Sequence, residues 1–201
     1  IETRFKKAQL LENPEDRRFL YPFINCTHCG PRFTILKDLP FDRRNTTMEP
    51  FAMCSDCLAE YVNPKNRRFH AQANCCPACG PQVFLVDSGG MTVSGNQAIE
   101  KAVSMFEKGM IIAVKGIGGF HLAADAANDS AVSRLRNLKA RGDKPFAVMA
   151  SSIKHVRRIA EVAPGEESVL MYPHRPVVIL KRKEGDETSV RISDYVAPGN
   201  P

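Results

Sequence analysis

The chain has 201 residues, 43% hydrophobic and 25% charged, with seven cysteines and a formal net charge of +6. That length allows one full domain and part of another, and that apolar content allows a buried core. No apolar run approaches the roughly 20 residues of a membrane span and no signal-peptide succession opens the chain, so a cytoplasmic protein without a membrane partner is expected. The positive charge is spread thinly, twelve Lys/Arg against ten Asp/Glu over residues 1–87 and sixteen against twelve over 88–201. Such a bias suits an anionic ligand such as a phosphate but lacks the dense basic stripe of a dedicated nucleic-acid binder. Ile1 in place of an initiating Met, and Pro201 after a turn, read as cuts through a longer protein.

Residues 1–87 form a repeat. A shift of 50 residues superposes Asn13-Pro14 on Asn63-Pro64, Arg17-Arg18-Phe19 on Arg67-Arg68-Phe69, and Cys26, Cys29, Gly30 and Pro31 on Cys76, Cys79, Gly80 and Pro81. Two copies of one unit, 1–37 and 51–87, are therefore expected. In the second copy Cys54-x-x-Cys57 and Cys76-x-x-Cys79 stand eighteen residues apart, the spacing of a structural four-cysteine zinc site. Four thiolates complete a tetrahedron and leave no open position for water, so the zinc is expected to be structural rather than catalytic. The first copy is degenerate: Arg4 and Lys7 fall opposite Cys54 and Cys57 and cannot ligate zinc, leaving Cys26 and Cys29 as a half-site. His28, His70 and Cys75 are conceivable substitute ligands, although a histidine beside a knuckle is more often a hydrogen-bonded structural residue. After each knuckle, 32–36 and 82–86 are β-rich runs that predict short strands.

Asp87-Ser88-Gly89-Gly90 reads as a linker or turn, and a second domain is expected over 93–201. Ala98, Ile99, Ala102, Val103 and Phe106 predict a helix stopped by Gly109, and 110–114 a buried strand. Asn128 or Asp129 can cap a further helix with Val132, Leu135 and Leu138 facing inward and Arg134, Arg136 and Lys139 in water. Strands over 146–150 and 176–180 and a helix over 153–160 complete an alternation that argues for an α/β layer with at least some parallel pairing. Two segments carry candidate chemistry. Lys115-Gly116-Ile117-Gly118-Gly119-Phe120-His121 follows a strand, where glycines let free N–H groups approach a phosphate, or simply reverse the chain. Lys139, Arg141 and Lys144 bring three cations to a helix end, as an anion site or as a solvated terminus that complements the helix dipole.

Tyr21-Pro-Phe-Ile-Asn-Cys-Thr-His-Cys-Gly-Pro-Arg-Phe33, the 24- and 18-residue gaps between cysteine pairs, Lys115-Gly-Ile-Gly-Gly-Phe-His-Leu122, Arg141-Gly-Asp-Lys-Pro-Phe-Ala-Val-Met149 and Arg175-Pro-Val-Val178 resemble the HypF hydrogenase-maturation carbamoyltransferase family over essentially the whole chain. The resemblance implies a tandem zinc-finger region followed by the N-terminal part of a YrdC-like α/β domain, without the family's acylphosphatase-like and carbamoyl-transfer domains. It implies zinc, and ATP with Mg and carbamoyl phosphate as substrates. It further implies formation of a carbamoyl-adenylate, and HypE as the partner whose C-terminal Cys receives the carbamoyl group that becomes the cyanide ligand of [NiFe] hydrogenase. Matched onto this chain, the ATP or carbamate contacts would come from Lys115, Gly118, Gly119, His121, Lys139, Arg141, Lys144 and Arg175. The alternatives are an RNA-binding zinc and YrdC-like module, against which stand the absence of Trp and the scatter of the four Tyr, and an inactive truncated product.

Overall fold

In the computed structural model, residues 13–28, 30–116, 119–172, 176–183 and 190–200 are described. Arg4, Lys7, Cys29, Gly118 and Arg175, and with them parts of the expected first finger, glycine turn and anion site, lie outside the described residues. The chain divides into two compact units between Lys101 and Ala102.

In the first unit the internal repeat is visible bond by bond. The Asn13 side chain accepts from the backbone N–H of Glu15, and the Asn63 side chain from that of Lys65. One step on, Asp16 accepts from Arg18 N–H and Asn66 from Arg68 N–H. Short polar side chains that bond their own backbone two residues ahead favour turns over helix or strand, so each copy is a series of tight turns. Both series end on a left-handed residue at the same register, Leu20 at φ 56° and His70 at φ 52°. Helix α1 (Ser55–Val62) precedes the second series. A small core of Tyr21, Ile24, Met48, Ala73 and Cys75, flanked by Ile35, Phe51 and Cys79, draws on both copies. The copies also bond directly: Thr27 N–H and Oγ1 donate to the Arg67 carbonyl, and Asn25 Nδ2 to the Ala73 carbonyl at 2.6 Å.

The expected strand over 32–36 is instead a 3-10 turn, Phe33–Ile35, with a single antiparallel bridge from Leu36 to Thr46. Within the run Ile35 packs against the core while Phe33 lies 87% exposed. The run after the second knuckle does form β1 (Phe84–Val86), paired antiparallel with β2 (Thr92–Ser94), and 87–90 is the turn between them. The expected helix follows as α2 (Gly95–Glu107), and Gly109 ends it at φ 71°; a left-handed stop of this kind favours glycine.

In the second unit β3 (Ile112–Gly116) and β4 (Gly119–Ala123) pair antiparallel, with Lys115 opposite Phe120 and Val114 opposite His121. Helix α3 (Asp129–Leu138) starts where expected, Asn128 Oδ1 accepting from Ala131 N–H at 2.9 Å. Ala131, Val132 and Leu135 are buried, and the helix packs on a 3-10 turn, Asp194–Val196. Leu138, expected inside, is 68% exposed because it closes the last turn, one step past Leu135, the last buried residue of the helix. Helices α4 (Ile153–Ile159) and α5 (Pro164–Met171) pack together.

Three further expectations are corrected. Among the described residues both sheets are two-stranded and antiparallel, with no parallel pair. The run at 110–114 is a strand edge rather than a buried strand: Ile112 is buried, whereas Val114 is 48% exposed. Segments 146–150 and 176–180 form no strand. A strand exists only when its N–H and C=O groups find a neighbouring backbone. Here Phe146 N–H bonds the Val196 carbonyl and Ala160 bridges Arg182, while Val177 and Ile179 point into solvent at 80% and 96% exposure.

Candidate metal centre and anion-binding residues

Local geometry brings the four cysteines together. Cys54 sits at the N-cap of α1 and Cys57 in its first turn, so one turn presents two thiols to one point. Cys76 and Cys79 lie on a knuckle closed by Cys79 N–H and Gly80 N–H donating to the Cys76 carbonyl at 3.1 and 2.8 Å. A Cβ on Gly80 would come within 2.3 Å of the Tyr21 hydroxyl and 2.7 Å of Cys75 Cβ, which explains the glycine. The four Sγ atoms all lie within 4.8 Å of one another, with Cys54–Cys76 at 3.8 Å, Cys76–Cys79 at 3.8 Å and Cys57–Cys79 at 3.6 Å. Four sulfurs about 2.3 Å from one tetrahedral zinc stand about 3.8 Å apart, so the residues fit the ion. Burial pushes the Cys57 thiol up to about 12, and the Cys57 N–H brings Cys54 down to about 7. A buried thiol of this kind ionises when the metal displaces its proton.

A buried polar cluster, which sequence reading did not single out, lies against these sulfurs. Arg18, 1% exposed, makes a two-pronged ion pair with Glu60, donates Nε–H to the Cys75 carbonyl at 2.8 Å and reaches the Asn74 side chain. Asn74 in turn donates to the Cys57 carbonyl at 2.9 Å. Arg17 bonds Glu60 at 2.8 Å, and Arg68 approaches it at 3.5 Å. Burial alone would raise the Glu60 carboxyl, but bonds from Arg18 and Arg17 overcome it and hold the group down to about 2. Burial and repulsion from Arg18 push Arg68 below its ordinary range. Arg43 is engaged elsewhere, by the carbonyls of Phe51, Gln72 and Asn74.

Among the described residues, no second group of three or more metal-ligating side chains forms. Cys26 is buried, with Arg67 Nη2 at 3.4 Å from its Sγ. The conceivable substitute ligands are placed otherwise: His70 stacks on Tyr61 with centroids 5.1 Å apart, His28 is exposed, and Cys75 is buried against the Tyr21 hydroxyl.

The candidate anion residues fall on two local structures. Lys115 is on β3 with Nζ 5.4 Å from the centre of the Phe120 ring, and His121 on β4 lies against Gly116. Gly116 and Gly119 pair at the end of the hairpin, Gly119 at φ 135°. Lys139 C-caps α3 and, like Lys144, is exposed. Arg141 donates to the carbonyls of Lys144 and Pro145 and stacks on Phe146 at 4.9 Å, with Arg136 on the same ring at 4.7 Å. Among the described residues, no hydrogen bond, ion pair or ring contact given for Lys115 or His121 joins them to Lys139, Arg141 or Lys144.

A four-cysteine finger unit followed by a YrdC-like α/β segment defines the class of protein. The sequence matches the HypF finger family over residues 11–36 and 53–86 and the Sua5, YciO and YrdC family, described as telomere recombination, over 104–201. It is 52% identical over 185 residues to the carbamoyltransferase HypF of Rhodobacter capsulatus, covering 92% of this chain and 24% of that one. The crystal structure of T. kodakarensis HypF superposes with a TM-score of 0.88 at 45% identity, over 96% of this chain and 25% of that chain. A crystal structure of full-length HypF in a phosphate- and nucleotide-bound form gives 0.83 at 42% identity, over 95% and 24%. The chain belongs to the HypF family and spans about a quarter of the length of these relatives. No described helix is long and apolar enough to cross a membrane.

Proposed function

We propose that this chain is the finger and adenylate-forming portion of a cytoplasmic carbamoyltransferase. Residues 1–87 are a tandem finger region holding one structural zinc, and 93–201 belong to the domain that binds ATP, with Mg, and carbamoyl phosphate. In this reading carbamoyl phosphate, water and ATP yield a carbamoyl-adenylate, phosphate and pyrophosphate, and the carbamoyl group passes to the C-terminal Cys of HypE, releasing AMP, for the cyanide ligand of [NiFe] hydrogenase. The observation that carries the reading is the family match running through both regions at 42–52% identity to proteins named HypF.

Lys115, the Gly118-Gly119 turn, His121, Lys139, Arg141, Lys144 and Arg175 are the proposed contacts to phosphate and carbamate. Their role is electrostatic, since adenylyl transfer from ATP and the carbamoyl transfer that follows it are favoured chiefly by cations held where negative charge develops. The exposed ammonium groups of Lys139 and Lys144 suit this task directly. Arg141 has a second task, because its guanidinium also organises the carbonyls of the loop that carries Lys144.

Arg141→Ala, made in this segment within a full-length carbamoyltransferase, is expected to lower carbamoyl-phosphate-dependent pyrophosphate release from ATP by roughly tenfold or more. Loss of one charge-assisted contact is worth about 1.5 to 3 kcal/mol. Zinc content should not change. Full activity in Arg141→Ala would remove the cluster from the site and leave it as a solvated helix end.

A further inference from the structure

We propose that Arg17 and Arg18, in the copy that lacks its own leading cysteine pair, are positioning residues for the zinc site of the other copy, holding the Cys57 thiolate and balancing the charge of the centre. Arg17 Nη1 and Nη2 lie 3.4 and 3.5 Å from Cys57 Sγ, and Arg18 Nη2 lies 3.5 Å from the same atom. Guanidinium N–H groups at such distances donate to a thiolate, and donors of this kind fix a ligand's direction and tune the metal it binds.

Two further observations support the assignment. The first is charge. Zinc with four thiolates carries two negative charges, whereas the neighbouring cluster sets three guanidiniums, Arg17, Arg18 and Arg68, against the single carboxylate of Glu60. Buried cations need partners, and Arg68 Nε and Nη2 find no hydrogen-bond partner among the described residues. The cluster thus holds more guanidinium than its carboxylate offsets, charge of the sign that a zinc tetrathiolate needs. The second is the repeat itself. Arg67, the residue 50 positions after Arg17, reaches across in the opposite direction to Cys26 Sγ of the first copy. An arginine of each copy therefore reaches a cysteine of the other, and the first copy keeps that task whatever its own metal content.

The inference stands apart from the carbamoyl chemistry and rests on the four cysteines holding zinc. Arg17, with its side chain 31% exposed, can be changed without opening the core. The zinc-loaded chain and its Arg17→Gln and Arg17→Lys variants would be challenged with a large excess of a chromogenic chelator, with far-UV circular dichroism as the check on folding. Arg17→Gln is expected to speed zinc loss roughly tenfold or more, the usual scale for removing an outer-shell partner, with Arg17→Lys in between. In the cobalt-substituted proteins the sulfur-to-metal charge-transfer band should move to lower energy in Arg17→Gln, because a thiolate stripped of N–H donors gives up its electrons more readily. Folded Arg17→Gln with zinc-loss rate and cobalt band within error of the parent would overturn the proposal. A parent chain that binds no zinc would overturn the metal assignment first, and the proposal with it.

Discussion

At the scale of single residues, the gathering of the four cysteines is legible in the sequence because each pair is local. Two residues between cysteines suffice to bring both sulfurs to one turn, and the structure differs from that expectation only in naming the turn, the start of α1 for Cys54 and Cys57. The Arg18–Glu60–Asn74 cluster was not legible in the same way. Its signal was present, since Arg-Arg-Phe recurs in both copies, but the partners lie 42 and 56 residues away in the chain and no local spacing connects them. Glu60 gives the test at this scale. Removing the carboxylate leaves Arg18 buried without its main counter-charge, so Glu60→Gln should destabilise the first unit by about 3 kcal/mol or more near neutral pH, measured by urea denaturation. Because folding lowers the Glu60 carboxyl from its ordinary 4.5 to about 2, its contribution is complete above about 4.5 and is lost as pH falls from there toward 2. The stability gap between parent and Glu60→Gln should therefore narrow across that acid window. A gap that stays constant from pH 6 to pH 3.5 would show that Glu60 is not a depressed carboxylate.

At the scale of elements, helices were read better than strands. Periodicity and capping act within one segment, so α3 began at its Asn128 cap and α2 ended at Gly109 as expected. Strands depend on a partner that the segment itself does not specify. The Lys115–His121 stretch reads as a phosphate cradle or a chain reversal, and its described residues pair across the β3–β4 hairpin, Lys115 with Phe120 and Gly116 with Gly119. The second knuckle is an element whose shape depends on one missing side chain. Gly80→Ala would drive a methyl group into the Tyr21 hydroxyl and Cys75, and overpacking of this kind costs about 1–3 kcal/mol. A thermal melt should show the loss, together with faster release of zinc to chelator. A Gly80→Ala chain as stable as the parent would mean that the turn can rearrange without disturbing the cysteines.

At the scale of the whole molecule, the chain divides into two compact units of different character. The finger unit brings four sulfurs to tetrahedral spacing within an interlocked repeat whose buried cluster holds more guanidinium than carboxylate. The second unit lies in a chain that spans about a quarter of its HypF relatives, and its cations are proposed contacts whose role the Arg141→Ala measurement decides. The two copies are asymmetric: one lacks the leading cysteine pair yet supplies Arg17 and Arg18, which hydrogen-bond Cys57 of the other.

The most direct test of this account is the zinc content of the purified full-length chain and of Cys76→Ser, by elemental analysis after removal of loosely bound metal. The parent should hold close to one zinc per chain and Cys76→Ser close to none, with loss of ordered structure over residues 51–87 because binding free energy at such a site is also folding free energy. Two tightly held zincs in the parent would contradict the reading of a single complete site. So would a Cys76→Ser chain that keeps its zinc.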